Sequence, residues 1–296
     1  LTESEHQMQS TARKLFGGAA RYLDIIDDIL PVALRHEYRF MSDETFAQRQ
    51  KSGDFSIEEL NFITSLELIE KAHLAAVTAL IRTKRWVEAI CLMADADNFV
   101  GFASTARGLV ESAGDIVDGL LKIAPSLAEY HNEISVCLAG KESGFVIMKE
   151  LEEPLDHYVH ARWIRVKAGD KQIKAKDNAS YVRALETAVP GALSLYHRLC
   201  SITHPSSASI DYLYDIDSTG TRGMKLAPSK DASAIDTLCR EFPSALHDVL
   251  MMSCNPSLLI LRVLHKFGIH PQLKGLKKLE FAKIKAWPGI EKHLKH

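Results

Sequence analysis

The chain has little of what usually marks a secreted, membrane-bound or metal-carrying protein. Its cysteines are Cys91, Cys137, Cys200, Cys239 and Cys254, an odd number, widely spaced and without a Cys-x-x-Cys pair. Most lie among apolar neighbours, as buried thiols do, so no disulfide framework is expected. No apolar run approaches the ~18 residues needed to span a bilayer, and the polar opening LTESEHQMQST lacks the pattern of a secretory leader. Net charge is scarce too, only −2 over 296 residues, so the molecule as a whole has no field to draw it onto nucleic acid or membrane. These absences read as a reducing, cytoplasmic, soluble protein with no membrane partner. Strand-like alternation is rare, and there is no internal repeat, low-complexity tract or convincing linker.

What is present is helical periodicity. Leu15 to Leu34 reads as a first helix, followed by polar sequence through Asp54. Ser56 and Glu59 form a capping-box start to a long helix running to Leu80, and Lys84 to Met93 reads as the next. From Asp97 to Ile123 a wide apolar stripe includes Phe102, Ala106, Leu109, Ala113 and Ile116. Gly108, Gly114 and Gly119 within it let neighbours come close, which suits the central helix of a bundle. Further helices are expected over Pro125 to Ala139, Lys149 to Arg165, Asn178 to Val189 and Pro190 to His204. Others cover Ser233 to Ser253 and Pro256 to Phe267, while Val166 to Asn178 reads as a Lys-rich loop. IDYLYDID and RGMKLAP flank STGT as a small hairpin or flap near 210–228. The expectation is an all-α helical bundle: one domain over 1–261 and a basic helical extension over 262–296 packed on it. That extension holds nine Lys/Arg against Glu280 and Glu291. Lys277 and Lys278 therefore suit either a tail lying on its own acidic body or a surface for an anionic partner such as RNA.

Two helices carry residues that can do chemistry. Along the edge of the central stripe run Arg107, Glu111, Asp115 and Asp118 at helical spacing. Arg107 and Glu111 are i,i+4 partners, whereas Glu111 and Asp115 repel unless a cation or a partner arginine lies between them. The other helix ends in YHRLCSITHP, Tyr196 to Pro205. On a helical wheel Leu195, Leu199 and Ile202 form its apolar face, with Arg198 beside it and His197, Cys200 and His204 opposite. The helix should stop near His204, because Pro205 disfavours helical geometry in the residue before it. Arg198 and His204 lie about 120° and about 9 Å apart on a straight helix. They meet at one phosphate only if the substrate lies along the helix, a second subunit supplies the same pair, or the last turn unwinds. The plain structural alternative pairs Arg198 with a carboxylate such as Glu111 and leaves His204 to close the helix. Cys200 and His204 can share a metal, but a structural zinc needs two more ligands that the sequence does not supply, so no metal and no cofactor is expected.

The order RGLVE (Arg107 to Glu111) and then Tyr-x-Arg-Leu-Cys-x-x-x-His-Pro resembles the HEPN-like superfamily over roughly Phe99 to Leu213. It is most similar to a poorly characterised bacterial branch carrying an R-x-x-x-E helix and a Y-x-x-L-S/C-x-x-x-H helix. The resemblance implies an all-α bundle that often dimerises. Active members are metal-independent endoribonucleases of defence, toxin–antitoxin and RNA-processing systems, with an arginine and, four to six residues on, a histidine. Arg198 and His204 keep that spacing, and Glu111 would orient one of them. Leu199 stands where active members place a polar residue, and noncatalytic members bind nucleotides, RNA or protein partners. The resemblance thus implies a homodimeric, noncatalytic or weakly active helical protein of a bacterial defence or toxin-type system that binds RNA, nucleotide or protein. In it Arg107, Asp115, Tyr196 and His197 serve binding. The alternative is a metal-independent endoribonuclease with Arg198 and His204 in a dimer interface.

Overall fold

In the computed structural model, which describes residues 3–163, 173–217, 223–227 and 230–295, the chain is all-α with one small hairpin. The helices are α1 (Glu3–Phe16), α2 (Arg21–Ala33), α3 (Asp43–Ser52), α4 (Ile57–Asp95), α5 (Phe99–Leu120), α6 (Ile123–Glu129) and α7 (His131–Leu138). They continue with α8 (Lys149–His160), α9 (Asn178–Glu186) and α10 (Ala192–Thr203). Strands β1 (Tyr214–Asp217) and β2 (Gly223–Leu226) follow, and α11 (Asp231–Glu241), α12 (Ala245–Leu264) and α13 (Trp287–His293) complete the chain. The strands pair antiparallel, Tyr214 opposite Leu226 and Ile216 opposite Met224, where the hairpin was expected. Its STGT turn, like part of the Lys-rich loop, lies outside the described residues. No single helix among the described residues is long and apolar enough to cross a membrane.

The helix boundaries differ from the sequence reading in instructive places. The polar segments before Leu15 and before Asp54 hold α1 and α3, the latter capped by the Ser42 side chain, which accepts from Thr45 N. Ser56 Oγ accepts from Glu59 N at 3.1 Å, the first half of the expected capping box, while the Glu59 carboxylate accepts from Arg49 Nη2 at 2.6 Å. Beyond it α4 runs unbroken to Asp95, because Ile81 to Lys84 contain no helix breaker. Asp177, not Asn178, caps α9, its carboxylate accepting from Ser180 N at 2.9 Å. The break expected near Pro256 falls instead at Phe242 to Ser244, and α12 carries Pro256 inside it.

The chain divides into two compact units, each built from three stretches. The first comprises Leu1–Asp24, Ile81–Asp118 and Asp177–Cys254. Its core includes Phe102, Ala106, Leu109, Leu195, Leu199 and Ile202, all fully or almost fully buried, so the apolar faces expected on α5 and α10 face inward. Gly108 receives the Trp86 ring, and Gly114 receives the Tyr181 carbonyl, whose oxygen would lie 2.4 Å from an added Cβ. The second unit comprises Ile25–Leu80, Gly119–Lys176 and Asn255–His296. Buried Asn61 closes one of its loops, donating to the carbonyls of Gly144 (2.6 Å) and Glu142 (3.1 Å). The basic C-terminal stretch buries Leu273, Leu276, Phe281, Trp287 and Ile290 in that unit. Arg262 lies over the Phe281 and Trp287 rings, and Lys278 pairs with Asp28.

Candidate functional site

In the first unit, α10 is set up by the loop before it. Gly191 adopts a left-handed φ of 91°, a conformation glycine takes without steric cost. The helix starts at Ala192 rather than Pro190, and the Glu186 carboxylate covers its N-terminus, accepting from Leu193 N (2.7 Å) and Gly191 N (3.0 Å). Those two bonds hold the Glu186 carboxyl below its ordinary pKa. At the other end His204 is extended (φ −93°, ψ 151°), so the helix stops at the residue before Pro205, as expected.

His204 and Thr203 face α5. Arg107 Nη1 donates to Thr203 Oγ1 at 3.0 Å and lies 3.4 Å from His204 Nε2, while its Nε sits 3.5 Å from Glu111 Oε1. A guanidinium only donates, so His204 accepts through Nε2 in this arrangement and carries its proton on Nδ1. Tyr196 lies near Cys200 and Glu111; burial first, then these neighbours, push its phenol well above the ordinary value. Arg107, Glu111, Thr203 and His204 therefore form one polar surface with Tyr196 beside it, His204 exposed and the others half-buried.

The remaining expected residues go elsewhere. Arg198 pairs with Glu241 of α11 at 3.5 Å, and the Glu111 partner suggested for it is taken by Arg107. The cause is register: one helical turn separates Arg107 from Glu111, whereas Arg198 lies on the flank of α10 that faces α11. Asp115 is bridged by Arg82 at 2.6 Å, the partner arginine that relieves its repulsion with Glu111. His197 is exposed beside Tyr196, and Lys277 is exposed in the other unit.

That second unit holds a polar cluster for which the sequence spacing offered no sign. His36 follows α2, Glu70 and His73 share one face of α4, and His270 lies in the loop after α12. The His73 and His270 rings stack at 4.1 Å with 5° between planes, and the His36 ring stands 4.9 Å from His270. Glu70 Oε2 lies 2.7 Å from His36 Nε2, and its Oε1 lies 3.5 Å from His270 Nε2. Tyr38 Oη lies 2.7 Å from His73 Nδ1. His73, Glu70 and His270 are all buried. Burial and the neighbouring imidazoles lower the pKa of His73 to about 3, and burial chiefly lowers that of His270 to about 4. The one readable hint was that Glu70 and His73 fall beside Ile69 and Ala72, on the buried face of their helix.

A scan against protein-family models matches none, and searches of curated proteins and of solved structures return no match.

Proposed function

We propose that this is a noncatalytic, HEPN-like helical protein of a bacterial defence or toxin-type system that binds a phosphate-bearing ligand, RNA or nucleotide, at the Arg107 to His204 surface of a homodimer. The observation that carries the reading is the exchange of arginines. Arg107 stands beside His204, while Arg198, the arginine of the ribonuclease spacing, turns to Glu241. An Arg-x5-His pair that does not meet within the chain favours binding over cleavage. Five N–H donors on the guanidinium exceed what Thr203, His204 and Glu111 occupy, and a phosphate oxygen fits such a fork.

Fluorescence anisotropy with labelled single-stranded RNA and with a labelled nucleotide, in EDTA and over a salt series, tests this. Saturable binding is expected, weakened at least about tenfold by Arg107→Ala, falling with salt as phosphate contacts require, and leaving the RNA intact. Absence of affinity for both probes refutes the reading. RNA cleavage in EDTA that is lost in both Arg198→Ala and His204→Ala replaces it with the metal-independent endoribonuclease, its two arginine–histidine pairs completed across a dimer.

A further inference from the structure

Buried imidazoles normally find hydrogen-bond partners, and each one left without destabilises the fold. Among the described residues His73 Nε2 and His270 Nδ1 have none, and His270 Nε2 has only the Glu70 carboxylate at 3.5 Å, outside hydrogen-bond geometry. Such nitrogens in one place, beside a buried carboxylate and a third imidazole, point to something other than packing. One nitrogen from each of His36, His73 and His270 lies within 4.8 Å of the others. A tetrahedral ion with bonds near 2.0–2.1 Å needs ligand nitrogens about 3.3 Å apart. The ligand atoms must close by up to about 1.5 Å, and the stacked His73 and His270 rings must rotate out of their parallel arrangement so that their in-plane lone pairs converge.

We propose that His36, His73 and His270, with Glu70, form a binding site for one divalent transition-metal ion, zinc by its preference for imidazole and carboxylate. The surroundings fit the chemistry. Glu70 supplies negative charge to offset the ion, as fourth ligand or as the carboxylate holding His36 Nε2. Tyr38 Oη lies 2.7 Å from His73 Nδ1; with an ion on Nε2 the Nδ1 proton would be donated to Tyr38 Oη, the outer-shell role such partners play. His73, His270 and Glu70 are too deeply buried to admit a substrate, so the ion's role is structural: it ties the segment after α2, helix α4 and the loop after α12 together.

The test is metal titration of the full-length chain after stripping with a chelator. Cobalt(II) should bind at about one equivalent, with the visible bands of a tetrahedral nitrogen and oxygen site and no sulfur charge-transfer band. Zinc should displace it and raise the thermal unfolding midpoint. His36→Gln, a change at the more accessible edge of the cluster, should keep the native circular dichroism spectrum and weaken cobalt binding at least about 100-fold. His73→Gln should do the same or worse; where it fails to fold, the His36 variant decides. No cobalt uptake by the wild-type chain overturns the proposal. So does uptake unchanged by His36→Gln, or uptake abolished by Cys200→Ser, which places the ion at α10 instead.

Discussion

Replacing Arg107 and Arg198 separately by alanine probes the arrangement of the first unit most directly, because the two arginines make ion pairs of equal length in unequal surroundings. Each places Nε 3.5 Å from a carboxylate. The side chains of Arg107 and Glu111 are 27% and 21% exposed, whereas those of Arg198 and Glu241 are 39% and 47% exposed. Exposed pairs contribute about 0–1 kcal/mol, which sets the cost of Arg198→Ala at about 0.5 kcal/mol. Arg107→Ala also removes a charge-assisted hydrogen bond to Thr203, a class that contributes about 1.5–3 kcal/mol. It further leaves half-buried Glu111 without its cation. The expected cost is about 2–3 kcal/mol. A chain of 296 residues unfolding cooperatively has an entropy near 0.6 kcal/mol/K, so the midpoint should fall by about 3–5 °C in Arg107→Ala and by about 1 °C in Arg198→Ala. Paired urea and thermal melts at one pH and salt concentration measure both. Equal losses, or a greater loss in Arg198→Ala, would refute the assignment of Arg107 as the arginine that holds α5 to the end of α10.

Three further predictions follow from single positions. Gly114→Ala puts a methyl 2.4 Å from the Tyr181 carbonyl oxygen, a backbone atom that cannot swing aside; overpacking of about 1–3 kcal/mol should outweigh the gain in helix propensity. Gly18→Ala, with nothing within 4 Å, should be tolerated, and equal melts for the two variants would contradict the packing. Glu186→Ala should cost about 1 kcal/mol at pH 7 as a lost helix cap. Because the folded-state pKa of Glu186 is depressed, its stabilisation is present above the unfolded carboxyl's range and lost as pH falls through the folded value. The gap between variant and wild type in urea midpoint should therefore close toward acid pH; a constant gap rejects the cap. Finally, burial pushes Cys91 up to about 12 and raises Cys254 as well. With Cys137 also buried and burial raising the Cys239 thiol as well, a thiol reagent at pH 8 should modify Cys200 first and partly exposed Cys239 more slowly in the native chain, and all five after denaturation; rapid modification of Cys91 or Cys254 would show that the core is open.

Much of this was readable wherever one helix settles the matter by itself. The stripe on α5, the buried side of α10, the stop before Pro205 and the pairing of Arg107 with Glu111 depend on periodicity and on i,i+4 distance, which a sequence displays. The contact of Arg107 with His204 was not readable. It depends on how two helices ninety residues apart cross, and the same sequence allowed Arg198 the Glu111 carboxylate that Arg107 takes. The histidine cluster was less legible still. Its members stand at 36, 73 and 270, with no ligand spacing between them, and only folding brings their rings together. Helices α1 and α3 were not legible because they are polar along much of their length; α3 has almost no apolar stripe and is set by its Ser42 cap.

The division into units bears on how the chain is made. Each unit draws on three separated stretches, so no single cut in the polypeptide releases either one whole. During synthesis from the N-terminus the first unit cannot be completed until Cys254 has emerged, and the second waits for the basic end that carries Leu273, Phe281 and Trp287. Fragments expressed to isolate the Arg107 surface or the histidine cluster would each expose half-built cores. A nascent chain stalled before its last forty residues would likewise hold the cluster's His36 and His73 without His270.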